Sequence, residues 1–260
     1  MSIANSGAQV RLTEAQLKQY DEQGFIVFED LFGAEEIDEV RGIIDAFDEA
    51  SERELQAKKK EDFISAAGTI NFTVNVNFRD PRLQAFIADR RFVDITTTLL
   101  GPDTKLYWDQ SVYKRPEGDR EFPWHQDNGY VPTDPVEYVT CWLALEDATI
   151  ENGCIWVQPG THKKGFVKHV WTDIGFICYY GDVEGIPVPL KKGSMVAFNS
   201  LLFHRSKPNL TKDQTRKGYV IQYSVDGSRN PDTGEVFKNG PLIAKDGKPA
   251  YEGFVPREQC

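Results

Sequence analysis

The chain has 260 residues, 40% hydrophobic and 27% charged, with a formal net charge of −10. That length suits one sizeable core, and the composition is that of an ordinary globular protein. The acidity argues against nucleic acid or an anionic membrane as partner, and no apolar run approaches the ~20 residues a membrane span needs.

The first residues, MSIANSGAQVRLTEAQ, carry no apolar leader, so the expected location is cytoplasmic. None of Cys141, Cys154, Cys178 and Cys260 forms a CxxC pair, which argues against a zinc ribbon. Cys141 and Cys154 lie in apolar runs and read as small core residues.

In chain order, the first helix opens at Thr13, with Gln16 at capping-box spacing and Leu12 placed to staple against Leu17. Gly24 is a fitting stop. FIVFED (25–30) reads as a short strand. In 34–47 the residues Ile37, Val40, Ile44 and Phe47 share one helical face. The charged run SERELQAKKKED (51–62) reads as a solvated helix end or loop. Asp80-Pro81 is a cap followed by proline at the first helical position, opening a helical region that ends by Gly101.

After Gly101 the pattern changes. KLYWDQSVYKR, YVTCWLALED, GCIWVQPG, SMVAFNSLLFHR and KGYVIQYSV are short, rich in β-branched and aromatic residues, and separated by Gly, Pro, Asn and Asp. That is the signature of an all-β sandwich or barrel. The layout is thus mostly helical support over 1–101, a β-core over 102–225 and an extended tail over 226–260, read together as one domain, 1–260.

The chemistry concentrates in PWHQDNGY (123–130). Residues two apart in a strand face the same way, so His125 and Asp127 at a strand end aim an imidazole and a carboxylate at one point. His204, ending the apolar run before HRSKPN, is placed to add a third ligand. Two His and one carboxylate leave metal positions open and suit non-haem Fe(II). A bare HxD is more often a hydrogen-bonded surface pair, so the reading rests on its surroundings.

Those surroundings resemble the phytanoyl-CoA dioxygenase (PhyH-like) family of Fe(II)/2-oxoglutarate-dependent oxygenases. WHQD (124–127) resembles its metal-binding segment. CWLALEDATIENGCIWVQPGTHK (141–163) resembles its most recognisable block, with turns at Asn152-Gly153 and Pro159-Gly160. GSMVAFNSLLFHRSKPN (193–209) resembles the distal-histidine segment. The likeness runs from LTEAQLKQYDEQGFIVFEDLF to RKGYVIQYS.

The resemblance implies a mainly β protein with N-terminal helices and a double-stranded β-helix (jelly-roll) core. It implies a metal triad of His125, Asp127 and His204, with 2-oxoglutarate and O2 as cosubstrates. Arg216 should clamp the far carboxylate of 2-oxoglutarate, assisted by Ser206, with Trp142 lining that pocket and Gln110 as a further contact. Lys212 is the alternative clamp. Arg216 sits about one residue off the commonest spacing, which predicts a bulge or a longer turn.

Since a carboxylate stands at 127, where related halogenases carry a small residue, hydroxylation, desaturation or ring closure is implied over halogenation. The substrate is expected to be a small organic molecule, a natural-product intermediate in preference to an acyl-CoA. A phytanoyl-type acyl-CoA 2-hydroxylase, an epimerase on the same iron, and a jelly-roll metal-binding protein without turnover are the alternatives.

Trp124, Tyr130 and Trp171 are candidate substrate-pocket residues, because loops between such strands commonly build pockets. His162 reads as a turn stabiliser and His169 as a surface or substrate-loop residue. Arg115 and Arg120 read as solvated. Oligomeric state is not legible.

Overall fold

A computed structural model describes residues 9–58, 61–62, 64–238 and 240–257. The leader reading over residues 1–8 and the reading of Cys260 lie outside these. In chain order the elements are α1 (Glu14–Gln23), β1 (Phe25–Phe28), α2 (Ala34–Lys58), β2 (Glu61–Asp62), β3 (Ser65–Ala66), β4 (Ile70–Val74), α3 (Pro81–Ile87) and α4 (Arg90–Leu100). There follow β5 (Thr104–Lys114), β6 (Phe122–His125), β7 (Val139–Ala144), β8 (Ile155–Val157), β9 (Val170–Thr172), β10 (Gly175–Ile177), β11 (Ile186–Val188) and β12 (Met195–Asn199). The chain closes with β13 (His204–Ser206), β14 (Arg216–Val225), β15 (Leu242–Lys245) and β16 (Lys248–Pro249).

The helix ends follow local chemistry. Thr13 and Gln16 form the full capping box of α1, and Gly24 ends the helix at φ 86°, a left-handed position glycine adopts without Cβ strain. Asp80 caps α3 with Pro81 behind it. The 51–62 stretch begins as the helix end expected: α2 continues to Lys58, largely exposed, although Glu52 and Leu55 are buried. Glu52 Oε1 accepts from Gly68 N at 2.8 Å, which binds the helix end to the turn before β4.

The larger sheet runs β1-β12-β7-β14-β5-β4-β3-β2, with β15 joining β5 and β16 joining β15. The smaller runs β11-β8-β13-β6, and β9 and β10 form a separate hairpin. All strand pairings among the described residues are antiparallel, as expected of a jelly roll.

Both faces of the larger sheet are covered, so VTCWLA of its central strand β7 is wholly buried. The pleat sorts these residues. Cys141, Leu143, Ala197, Tyr219 and Ile221 pack with the helices, against Ile37, Val40, Ile44, Phe86 and Phe92. Their neighbours Trp142, Ala144, Val196, Phe198 and Val220 face the smaller sheet and pack with Ile155 and Val157. The site lies in this second layer.

The tail is more sheet-like than its Gly and Pro content suggests. β15 lengthens the larger sheet, and Gln84 of α3 binds the backbone N–H and C=O of Val255.

Candidate metal centre

His125 and His204 are direct cross-strand partners on β6 and β13, with ring centroids 4.0 Å apart. Asp127 departs from the expected strand pair. β6 ends at His125, and Asp127 opens a short 3-10 turn (Asp127–Gly129). The turn still brings Asp127 Oδ1 to 3.7 Å from His125 Nε2 and 3.4 Å from His204 Nε2. One ligand atom from each residue lies within 4.8 Å of the others, and this is the one such group among the described residues.

The donor atoms are set for a cation. His125 Nδ1 lies 2.8 Å from Pro123 O and His204 Nδ1 3.0 Å from Leu202 O, so each Nδ1–H donates to a carbonyl and Nε2 is the nitrogen left to bind a metal. Burial, then His204, pushes the His125 pKa down to about 4, so this ring is neutral at pH 7. Asp127 is held well below the usual carboxylate range: burial opposes ionisation, and the facing His204 and His125 outweigh it. Two lone pairs and a carboxylate oxygen converging in a buried space repel one another unless a positive charge lies between them. The donor set fits a divalent metal of the non-haem iron type.

Beside the triad lies a second cradle. Arg216 opens β14, is 1% exposed, and has no hydrogen-bond partner for any of its three guanidinium nitrogens. Burial pushes its pKa down to about 10, so it stays charged at pH 7. An unpaired buried cation is strongly unfavourable, and a ligand carboxylate in this cavity would satisfy it. Trp142 forms the floor, its ring 5.2 Å from the guanidinium carbon. Gly218 makes room for that ring: a Cβ there would meet Trp142 Cζ2 at 2.3 Å.

Arg216, Ser206, Trp142 and Gln110 line one cavity with His125, Asp127 and His204. The irregularity in β14 falls between Gln222 and Tyr223, far along the strand from Arg216.

The proposed substrate-pocket residues separate. Tyr130 sits beside the centre, its ring 5.6 Å from that of His125. Trp171 lies on the β9–β10 hairpin and is 45% exposed. Trp124 is a correction: it points to the outer side of β6, buried against Arg205 at 4.6 Å, because the residue next to an inward His125 must face outward. Arg115 is also corrected, being ion-paired to buried Asp48, and Arg120 donates to Asp173 O. His162 sits in the turn after Gly160, with Nε2 3.1 Å from Asp21 O.

Other residues at the site escaped the sequence reading. Thr140 donates to Asp127 Oδ2 and accepts from Gln222 Nε2 at 3.3 Å. Thr140 is two residues before Trp142 on β7, so the strand period could have found it. Gln126, between two ligands, is fully buried. It donates to Leu201 O (2.7 Å) and Gly165 O (2.9 Å) and accepts from Val167 N (2.9 Å), while its own N–H donates to His169 Nε2 (2.9 Å). Lys114, 1% exposed beside Arg216, donates to Ser206 O (2.9 Å) and Lys207 O (2.7 Å). It holds the strand of His204 and has little capacity left for a ligand.

A family model described as Phytanoyl-CoA dioxygenase (PhyH) matches residues 20–218. Among curated proteins, the chain is 27% identical to Phytanoyl-CoA dioxygenase 1 of Oryza sativa subsp. japonica, over 77% of this chain and 85% of that one. It is 25% identical to the Phytanoyl-CoA dioxygenase domain-containing protein 1 homolog of Dictyostelium discoideum, over 88% and 95%.

Among solved structures, the non-heme alpha ketoglutarate dependent carbocyclase SnoK from nogalamycin biosynthesis aligns at TM-score 0.70 and 18% identity, covering 92% of this chain and 100% of that one. EvdO2 from Micromonospora carbonacea var. aurantiaca, complexed with 2-oxoglutarate, aligns at 0.67 and 20%, covering 90% and 97%. At these identities the structural likeness establishes the fold.

Proposed function

Because the chain belongs to the phytanoyl-CoA dioxygenase family, we propose that it is an Fe(II)- and 2-oxoglutarate-dependent dioxygenase. In this reading it oxidises, by hydroxylation, a C–H bond of a small organic natural-product molecule and releases succinate and CO2. The observation that carries the reading is Arg216: a wholly buried, unpaired guanidinium in the same cavity as the triad. A purely structural metal site has no use for it.

Iron with O2 and 2-oxoglutarate supplies the oxidising power to break an unactivated C–H bond. The protein's part is placement. His125, Asp127 and His204 would hold the metal. Arg216 would pair with the far carboxylate of 2-oxoglutarate, Ser206 would donate to the same group, Trp142 supports the guanidinium, and Gln110 would border the cosubstrate. Val112, Ile155, Phe198 and Val220 give the cavity apolar walls that keep water out. No separate general base is required.

Among described residues no helix is long and apolar enough to cross a membrane. Cys141, Cys154 and Cys178 are free, which supports a reducing, cytoplasmic setting.

The test is succinate formation from 2-oxoglutarate in air with added Fe(II). His125→Ala and Asp127→Ala should abolish it, and full activity in either variant refutes the triad. Ring closure or epimerisation on the same centre is a second reading, supported by a carbocyclase and the epimerase SnoN among the proteins sharing the fold. Product mass separates them: gain of one oxygen, loss of two hydrogens, or no change.

A further inference from the structure

An aromatic wall leads outward from the metal centre. Phe122 meets the His125 ring edge-on at 4.6 Å. Phe72 lies 5.3 Å from Phe122 on one side, and Tyr130 stacks at 6.0 Å on the other. Phe176 meets Tyr130 edge-on at 5.1 Å, and Trp171 meets Phe176 at 5.0 Å. Trp108 stands two residues before Gln110, on the same face of β5, and donates from Nε1 to Gln110 Oε1 at 3.2 Å.

These six rings differ from the core aromatics. Phe25, Phe28, Phe32, Phe86, Phe92, Phe198 and Phe203 are buried, whereas every ring of the wall leaves part of its surface uncovered. Phe72 and Phe122 line the cavity of the metal centre, and the other partly uncovered rings continue outward from them, as expected of an apolar ligand site.

The wall is also built in advance. Tyr130 Oη accepts from Phe176 N at 3.0 Å, tying the turn after Asp127 to the β9–β10 hairpin. Gly175 is required there, since a Cβ would come within 2.6 Å of Tyr130 Oη. The approach to the hairpin is held by Gln126 through Gly165 and Val167, and by His169 through the N–H of Gln126. Gly129 gives the His169 ring its room, as a Cβ there would lie 2.4 Å from it.

Three cations near the centre, Arg120, Arg205 and Lys114, already have partners. Arg120 donates to Asp173 O, Arg205 lies over Trp124 and donates to Glu184 O, and Lys114 is buried against backbone carbonyls. A ligand rich in phosphate would need them.

The geometry points to a neutral, planar, largely aromatic substrate that lies along Phe122, Tyr130 and Phe176, with Trp171 covering its outer end. On this inference an acyl-CoA thioester is not the ligand of the wall. The inference rests on the iron and 2-oxoglutarate reading for the chemistry, but the wall binds its ligand without turnover, so the two are separable.

The test uses 1-pyrenemethanol as a neutral planar probe, added anaerobically to full-length protein holding Fe(II) and 2-oxoglutarate. Binding is read by energy transfer from tryptophan to pyrene. Saturable binding is expected, weakened about tenfold in Trp171→Ala or Phe176→Ala and largely restored in Trp171→Phe. Probe affinities are taken from pyrene emission under direct excitation, so loss of a donor tryptophan does not mimic loss of binding. Palmitoyl-CoA should not displace the probe. Absence of binding, wild-type affinity in both alanine variants, or displacement by palmitoyl-CoA at or below the probe concentration overturns the inference. Succinate formation in air on the same preparation reports separately on the dioxygenase reading.

Discussion

Replacing Thr140 with valine should weaken metal binding without disturbing the fold. The side chains are nearly the same size, so packing on β7 is kept. What is lost is the hydroxyl that donates to Asp127 Oδ2 and accepts from Gln222. That bond holds the carboxylate by one oxygen, leaving Oδ1 to face the two Nε2 atoms. A hydrogen bond to a charged group contributes about 1.5–3 kcal/mol. In the variant the carboxylate can rotate, and Gln222 Nε2 loses an acceptor in a buried site. The expected loss is about 10- to 100-fold in metal affinity, the usual range for residues that orient a metal ligand.

The assay is competition for Co(II) between protein and a chromophoric chelator, with Thr140→Ser as the variant that keeps the hydroxyl. Affinity in Thr140→Val within about twofold of wild type would refute the orienting role.

Gly218→Ala should push the Trp142 ring from beneath Arg216, because the new Cβ falls 2.3 Å from Cζ2; urea denaturation should show a loss of about 1–3 kcal/mol, the usual cost of overpacking. Gln126→Leu leaves Gly165 O, Leu201 O and Val167 N without their partner, and hydrogen exchange should rise in 163–177 before the rest of the chain. Asp109 is fully buried on β5, and burial pushes its pKa up to about 6 against the hydrogen bonds from Asn77 and Tyr219. The folded pKa is above the unfolded one, so its contribution is fully present below about pH 4 and is lost as pH rises through 6. The stability of wild type relative to Asp109→Asn should therefore fall by about 2–3 kcal/mol between pH 4 and pH 7.

What the sequence disclosed was local. Thr13, Gln16 and Gly24 bound α1 through bonds to residues a few positions away. His204 could be matched to HxD because ligand residue types are few: the chain has only four histidines. Contacts across the fold stayed hidden. His169 finds its partner in the backbone of Gln126, 43 residues earlier, and nothing local marks that pairing. Trp124 was misplaced because flanking a ligand does not decide which side of the strand a ring takes. The charged stretch after Ser51 is a helix end as its composition allowed, but the burial of Glu52 against Gly68 is a tertiary contact that no local pattern marks. Of the aromatic wall, Tyr130 and Trp171 were legible as pocket candidates, whereas Phe72, Trp108 and Phe122 joined them only when folding brought strands from 72 to 176 together.

The central claim is that one cavity holds both a metal, on His125, Asp127 and His204, and the far carboxylate of 2-oxoglutarate, on Arg216. Its most direct test is anaerobic titration of metal-free protein with Fe(II) and then with 2-oxoglutarate, following the visible metal-to-ligand charge-transfer band of the chelate. The band should appear in wild type, and Arg216→Met should need at least about tenfold more 2-oxoglutarate to reach half its intensity, as loss of a charge-assisted pair implies. Folded, iron-loaded protein that gives no band, or an Arg216→Met variant that titrates like wild type, would contradict the account.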